Sequence, residues 1–327
     1  MFEHYRGWVE QLRKALDEWG SISVSGGFNT IRVAGMGGSG IVGDYLASLS
    51  HVYGGLPVFV YKTHLPPTSV SSSDLFFIVS YSGNTIETIR FMEMVRGKGF
   101  LVVVSSDGFL EKYALENNLA FIKVIGGLVP RTALPHMLYS ILGLLDSSGY
   151  SIVSRDEAYS AYVFIRERID DAYSEGVGLA RFIFDNRGLL ILATHSPYEA
   201  LVVRGKNEFN ENSKIPVKVE VSPEWMHNDI VGWEKPLGRD YVVVLVRDES
   251  DVVGSRLVDY MYRVYNRLGF PCYNLVLRGN GFLDKLLYGS LVFGFASVEL
   301  ARLRGVDPLV TESIVEYKSV VDKIFSV

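Results

Sequence analysis

A single cysteine, Cys272, stands in the 327-residue sequence, which excludes an internal disulfide framework and any cysteine-rich metal site. The histidines are as unhelpful to a metal: His4, His51, His64, His136, His195 and His227 show no paired ligand spacing, and His195-x-x-x-Glu199, the nearest approach to one, is isolated. No basic patch interrupts a chain whose formal net charge is -5, so electrostatics recommend neither a nucleic acid nor an anionic membrane surface. The longest charge-free apolar stretches, such as residues 286–298, fall short of the roughly 20 residues that span a bilayer. Met-Phe-Glu-His-Tyr-Arg at the start has no secretory pattern. The expectation is a soluble, cytoplasmic protein with neither nucleic acid nor membrane as partner.

What is plentiful is apolar residues, 48% against 21% charged, the balance of a folded globular protein, and the length suits two domains that each bury a core. Apolar spacing over residues 2–19 predicts an amphipathic helix packed on the first domain. Strands are expected at 30–34, 58–61, 75–79, 100–105 and 120–124, interleaved with helices, with a boundary at Asp146-Ser147-Ser148-Gly149. A charged helical connector over 155–184 leads to strands at 188–193, 216–221, 241–246 and 273–277, again alternating with helices. Strands separated by helices predict parallel sheets, so the expected fold class is α/β with two doubly wound parallel-sheet domains, residues 1–150 and 151–327.

The stretch around which this is organised is residues 75–90, LFFIVSYSGNTIETIR, an apolar strand running into Ser-Tyr-Ser-Gly-Asn-Thr and then a helix. Ser80, Ser82 and Thr85 bring hydroxyls to a helix N-terminus, where free backbone N–H groups and the helix dipole favour an anion. An ordinary Ser/Thr cap is the plainer reading of the same residues. A second strand-to-helix turn, Gly35-Met36-Gly37-Gly38-Ser39-Gly40, matches the dinucleotide fingerprint, yet no Asp or Glu between Asp44 and Asp74 could hold a ribose. Both loops are expected beyond the carboxyl ends of the strands at one switch point, with Gly38 or Ser39 facing the same anion.

The second half looks like a diverged repeat of the first, with Ala193-Thr194-His195-Ser196 in place of the glycine turn and Arg247-Asp248-Glu249-Ser250-Asp251 in place of the hydroxyl loop. Its acids would repel an anion, so that loop reads as a plain helix cap. Elsewhere, Arg131 is held between Pro130 and an apolar run, and Arg204 to Lys214 is too densely polar for a buried helix. If phosphate is the handle of a sugar, isomerisation needs a base that moves a proton between C1 and C2, for which Glu208 and Glu211 both qualify. His227, in an aromatic and polar segment without clean period, suits proton exchange at a ring oxygen. Without ligand spacing, a metal-free enediolate route is favoured over hydride shift, with Arg131 and a lysine facing the developing oxyanion.

Taken in order, GMGGSG, SYSGNT, PRTAL, NENSK, HNDIVGWE and TESIVEYK resemble the archaeal bifunctional phosphoglucose/phosphomannose isomerases over essentially the whole chain, with the sugar isomerase (SIS) phosphate loop at SYSGNT. The resemblance implies a metal-independent interconversion of glucose 6-phosphate and mannose 6-phosphate with fructose 6-phosphate, needing no cofactor. It implies that Ser39, Ser80, Ser82 and Thr85 hold phosphate, Arg131 stabilises the enediolate, Glu211 is the base and His227 opens the ring. His227 would reach the site from the second subunit of a homodimer. Lys318 would be a second cation, with Lys323 close by, and Thr311 would line the sugar site and admit the mannose epimer. A non-catalytic phosphosugar-binding SIS regulator is the alternative, although no basic segment offers it a DNA-binding part. A transferase or deaminase acting on a glucosamine phosphate would want an ammonia-handling site, and Cys272 lies deep in the chain.

Overall fold

A computed structural model describes residues 1–238 and 240–326. The chain divides into two compact units: an N-terminal unit of Arg6–Tyr162 with the segment from Glu312 onward, and a C-terminal unit of Val163–Thr311 with Met1–Tyr5. The division differs from the expected 150/151 boundary in three ways: Met1–Tyr5, expected with the first domain, belong to the second, the connector helix begins inside the first unit, and the tail returns to it.

The predicted N-terminal helix is interrupted at Gly7 into α1 (Phe2–Arg6) and α2 (Trp8–Asp17), and α2 buries Trp8, Leu12, Ala15 and Leu16. Next come β1 (Thr30–Ala34), α3 (Gly37–Tyr53), β2 (Val58–Tyr61), β3 (Asp74–Val79), α4 (Ile86–Val95), β4 (Phe100–Ser105), α5 (Gly108–Glu116), β5 (Ala120–Lys123) and α6 (Leu134–Ser147). All strand pairs are parallel, in the order β2-β1-β3-β4-β5. Every residue of β3 is buried, as a central parallel strand covered on both faces requires.

After α7 (Arg155–Asn186) follow β6 (Leu189–His195), α8 (Glu199–Glu208), β7 (Val217–Ser222), α9 (Asp229–Gly232), β8 (Tyr241–Arg247), α10 (Val252–Arg267), β9 (Cys272–Val276), α11 (Phe282–Arg304) and, back in the first unit, α12 (Glu312–Phe325). The second sheet is also parallel, ordered β7-β6-β8-β9, which is the first sheet's order without its last strand. The repeat is thus present in topology, although no glycine turn or hydroxyl loop repeats in sequence. Helix α11 alone among the described residues is long and apolar enough to cross a membrane, and 89% of its most apolar stretch is buried within the protein. Its apolarity therefore belongs to a core.

At the second sheet's switch point the loop after β8 is more than a cap. Asp251 does cap α10, accepting from the Gly254 N–H at 2.9 Å. Asp248 is instead sealed in, with Lys285 Nζ at 2.7 and 2.8 Å, the Tyr198 hydroxyl at 2.7 Å and the Ser250 hydroxyl at 2.7 Å. A carboxylate of the chain itself thus occupies the place where the first half can receive an anion. Burial pushes the Asp248 carboxyl up, but the Lys285 ammonium and the Ser250 and Tyr198 hydroxyls overcome it and hold the value at about 2.

Lys285→Met should leave Asp248 buried without its cation and cost about 3 kcal/mol in urea unfolding at neutral pH. Because the folded carboxyl lies below its unfolded value, the pair's contribution is present above about pH 4 and disappears as pH falls toward 2. The wild-type advantage over Lys285→Met should shrink across that window, and an advantage independent of pH would assign it to packing.

Candidate active site

In the N-terminal unit the loops after β1 and β3 leave adjacent strands where the strand order reverses, the crevice in which open α/β sheets bind ligands. Ser39, 5% exposed, accepts the Tyr81 N–H on its Oγ at 2.9 Å, tying the first loop to the second while keeping its own proton to donate. Ser80 and Thr85 lie with their hydroxyls 2.9 Å apart. Thr85 stands at the N-cap of α4 in extended conformation, yet its side chain makes no cap bond. The ordinary-cap reading therefore does not describe this helix. Its first-turn N–H groups and the positive end of its dipole face the loop, as an anion site requires. Ser82 is exposed beside them.

Two glycines make the approach possible. Gly83 has φ 68, and a Cβ there would stand 1.8 Å from the Asp107 carbonyl oxygen. A Cβ on Gly38 would stand 2.7 Å from the Arg131 backbone nitrogen, so the glycine turn and the Arg131 turn press directly together. Arg131, 6% exposed, belongs to a single 3-10 turn, Pro130–Ala133. That turn is held from α2: Trp8 Nε1 and Gln11 Nε2 donate to the Thr132 carbonyl at 3.0 and 2.9 Å. Gly38, Ser39, Ser80, Ser82, Thr85 and Arg131 are thus gathered by three adjoining loops.

Helix α12 lies along α4. The Tyr317 hydroxyl donates to Glu87 Oε1 at 2.6 Å in the first turn of α4, and Arg90 Nη2 donates to the Phe325 carbonyl at 3.5 Å further along. Lys318 and Lys323 are both exposed. Lys318 follows Tyr317, which reaches the loop end of α4, whereas Lys323 is nearer the contact at Arg90.

The C-terminal unit contains the other expected residues, and there the reading of Arg204 to Lys214 as too polar for burial is corrected. Arg204 and Glu208 are each 1% exposed, and Asn212 and Ser213 are fully buried, because they satisfy one another. Glu208 pairs with Arg204 Nη2 at 2.6 Å, accepts from the Tyr5 hydroxyl and takes Asn212 Nδ2 at 3.0 Å. Asn212 also donates to Ser297 Oγ at 2.9 Å, and Ser213 Oγ donates to the Ser297 carbonyl at 2.6 Å. Glu211, set between these anchors on a π-helical turn (Phe209–Ser213), remains partly exposed. Such turns interrupt helices at functional sites. Lys214, at φ 57, closes the turn by donating to the Glu211 carbonyl. The spacing alone did not separate the two glutamates; their surroundings do.

His227 follows a short turn, Glu224–Met226, at the end of β7 and is exposed. Thr311, partly buried, is the last residue of this unit before the chain returns to the first. Sequence reasoning missed the groups that fix the candidates: Tyr5 and Arg204 around Glu208, and Glu220 beneath the His227 segment. No local signal marked them, because each sits in an element that carries other polar residues: FEHYR in α1, EALVVRGKNE in α8 and VKVEVS in β7.

Comparisons with known proteins bear on the family and the fold. Residues 174–321 match the model of a bacterial phospho-glucose isomerase C-terminal SIS domain. The chain is 33% identical to a bifunctional phosphoglucose/phosphomannose isomerase of Aquifex aeolicus over 90% of this chain and 91% of that one. It is 32% identical to the protein of the same description in Aeropyrum pernix, over 97% of each. The C-terminal domain of glucosamine-fructose-6-phosphate aminotransferase from Francisella tularensis shares the fold at a TM-score of 0.75 and 14% identity, covering 94% of this chain and 96% of that one.

Inorganic phosphate should raise the melting temperature of the protein. Replacing Ser82 and Thr85 together by Ala should shift the concentration needed for that rise upward by about tenfold or more, the loss of two charge-assisted hydrogen bonds. An unaltered phosphate response would remove these hydroxyls from the anion site.

Proposed function

Because this chain belongs to the bifunctional phosphoglucose/phosphomannose isomerase family, we propose that it interconverts glucose 6-phosphate and mannose 6-phosphate with fructose 6-phosphate through an enediolate, without a metal. The observation that carries the reading is the N-terminus of α4, which no side chain caps and beside which Ser80, Ser82 and Thr85 bring their hydroxyls at the switch point. Phosphate is the handle: Ser39, Gly38, Ser80, Ser82 and Thr85 fix one end of the substrate and leave the other for chemistry. His227 exchanges protons with the ring oxygen and the C1 hydroxyl, so the ring opens to the free aldehyde. Glu211 removes the C2 proton, the electron pair moves into a C1–C2 double bond, and the C1 oxygen becomes an enediolate oxygen. When the C2 hydroxyl proton passes to the C1 oxygen, the C2 oxygen forms the new carbonyl as the proton returns to C1, giving the ketose; with the C2 hydroxyl intact, returning the proton to either face of C2 re-forms the C1 carbonyl and gives the glucose or the mannose epimer. Arg131 stabilises the enediolate, Lys318 adds a second cation, and Thr311 tolerates both epimers.

Topology supports a homodimer with shared sites. Glu211 lies on the turn that enters β7 and His227 on the segment that leaves it. The six residues of β7 themselves span about 17 Å, at about 3.3 Å rise per residue, with the Glu211 turn before them and the His227 segment after them. With a rigid strand between the two groups, the reading gives His227 to the site of a second copy.

Glu211→Gln cannot accept the proton and should lower kcat by about 100-fold or more, with folding stability and KM little changed and a chelator present throughout. Glu208→Gln should behave oppositely, losing stability because Arg204 is left buried beside a neutral amide. Exchange of the C2 hydrogen of glucose 6-phosphate with deuterated solvent reads the proton transfer directly. Full exchange by Glu211→Gln would exclude it as the base.

Mixing inactive Glu211→Gln and His227→Ala proteins should restore activity, because a hybrid dimer holds one intact site. Failure to recover after confirmed subunit exchange would place both groups in one chain's site.

A further inference from the structure

The segment that bears His227 packs Met226 and Ile230 against the core and is pinned at Asn228 by Glu224, but presents His227 itself to the surface. Between Trp225 and Trp233 it consists of short turns and the four-residue α9, with His227 and Asn228 exposed and Val231 59% exposed. Its two ends, however, converge on one buried group. Glu220 of β7 is 1% exposed and accepts Trp225 Nε1 at 2.6 Å and Trp233 Nε1 at 3.0 Å. The Tyr265 hydroxyl of α10 and Lys218 Nζ of β7 donate to the same carboxylate. Both indoles are buried in a cluster with Tyr265 and Phe270, so neither end of the segment can slide while Glu220 holds its N–H.

A carboxylate is a costly choice for that position. Burial pushes the Glu220 carboxyl up against the opposing effect of the Lys218 ammonium and the two indoles, and an apolar residue would avoid the desolvation altogether. Packing alone would give Trp225 and Trp233 several comparable settings. A fully satisfied acceptor shared by both fixes one. We propose that Glu220 is a positioning residue for His227, setting the placement of the ring-opening group by clamping the two tryptophans that bracket it. The proposal rests on the ring-opening reading of His227.

The test is a double-mutant cycle on kcat. In the wild-type background Glu220→Leu should lower kcat by about 30-fold or more with KM changed less than about twofold, since the phosphate loops lie in the other unit. In the His227→Ala background the same change should lower kcat by less than about twofold, because there is no imidazole left to misplace. Glu220→Gln, which keeps an acceptor oxygen for Trp225 and Tyr265, should recover most of the activity. If Glu220→Leu fails to fold, Trp233→Phe, which keeps the ring and removes only its N–H, is carried through the same cycle with an expected loss of about fivefold. A loss of equal size in both backgrounds would overturn positioning in favour of a general structural role, as would full activity in folded Glu220→Leu. Full activity of His227→Ala would overturn the ring-opening reading and this proposal with it, whereas a His227→Ala slowed but still measurable beside a fully active Glu220→Leu would overturn this proposal alone.

Discussion

A parallel sheet directs every strand's carboxyl end, and the N-terminus of each following helix, to one edge, and this protein's design turns on how each of its two sheets disposes of the resulting positive potential. The first sheet leaves it unanswered: Thr85 occupies the N-cap of α4 but bonds Ser80 rather than its own helix. The second sheet answers it internally, with Asp251 on the end of α10 and Asp248 locked to Lys285. Two sheets that share the order of four strands thus end in one helix N-terminus without a side-chain cap and one closed structural joint.

The carboxylates divide along the same line. Asp248, Glu208 and Glu220 are all nearly inaccessible, and each has its own cation: Lys285, Arg204 and Lys218. Removing such a charge from water is tolerable only where donors converge on it, and in each case donors from several elements do so. Glu211 has the opposite setting, on a π-helical turn whose neighbours Asn212 and Ser213 are pinned to Ser297 while Glu211 stays partly open. Glu208 holds the turn and Glu211 is presented by it. Two glutamates of one polar run, three residues apart, thus have opposite settings: one buried as an anchor, the other partly exposed on the turn that the anchor holds.

Much of this was legible in the sequence because the strands are short, apolar and bounded by turns: the expected strands at 30–34, 58–61 and 100–105 coincide with β1, β2 and β4. The hydroxyl loop was legible because it follows the most apolar strand, β3. What remained hidden depends on partners far away in the chain. Nothing near Arg204 announces that Tyr5, about two hundred positions earlier, shares its glutamate, and nothing near Asp248 announces Lys285. A polar run read locally looks solvated. Only the fold shows that its charges neutralise one another, which is why residues 204–214 were misjudged as too polar to bury.

Strand β7 gathers the remaining consequences. It lies at the edge of its sheet, and its alternation places Lys218 and Glu220 on one face, where the ammonium reaches the carboxylate it accompanies. The turn bearing Glu211 enters it, the segment bearing His227 leaves it, and Glu220 near its end grips both tryptophans of that segment. A strand does not shorten, so β7 keeps the points where the turn joins it and where the segment leaves it at a fixed separation. The exposed segment that carries His227 is thus held from its own side, by a buried carboxylate on an edge strand, which leaves His227 and Asn228 on the surface.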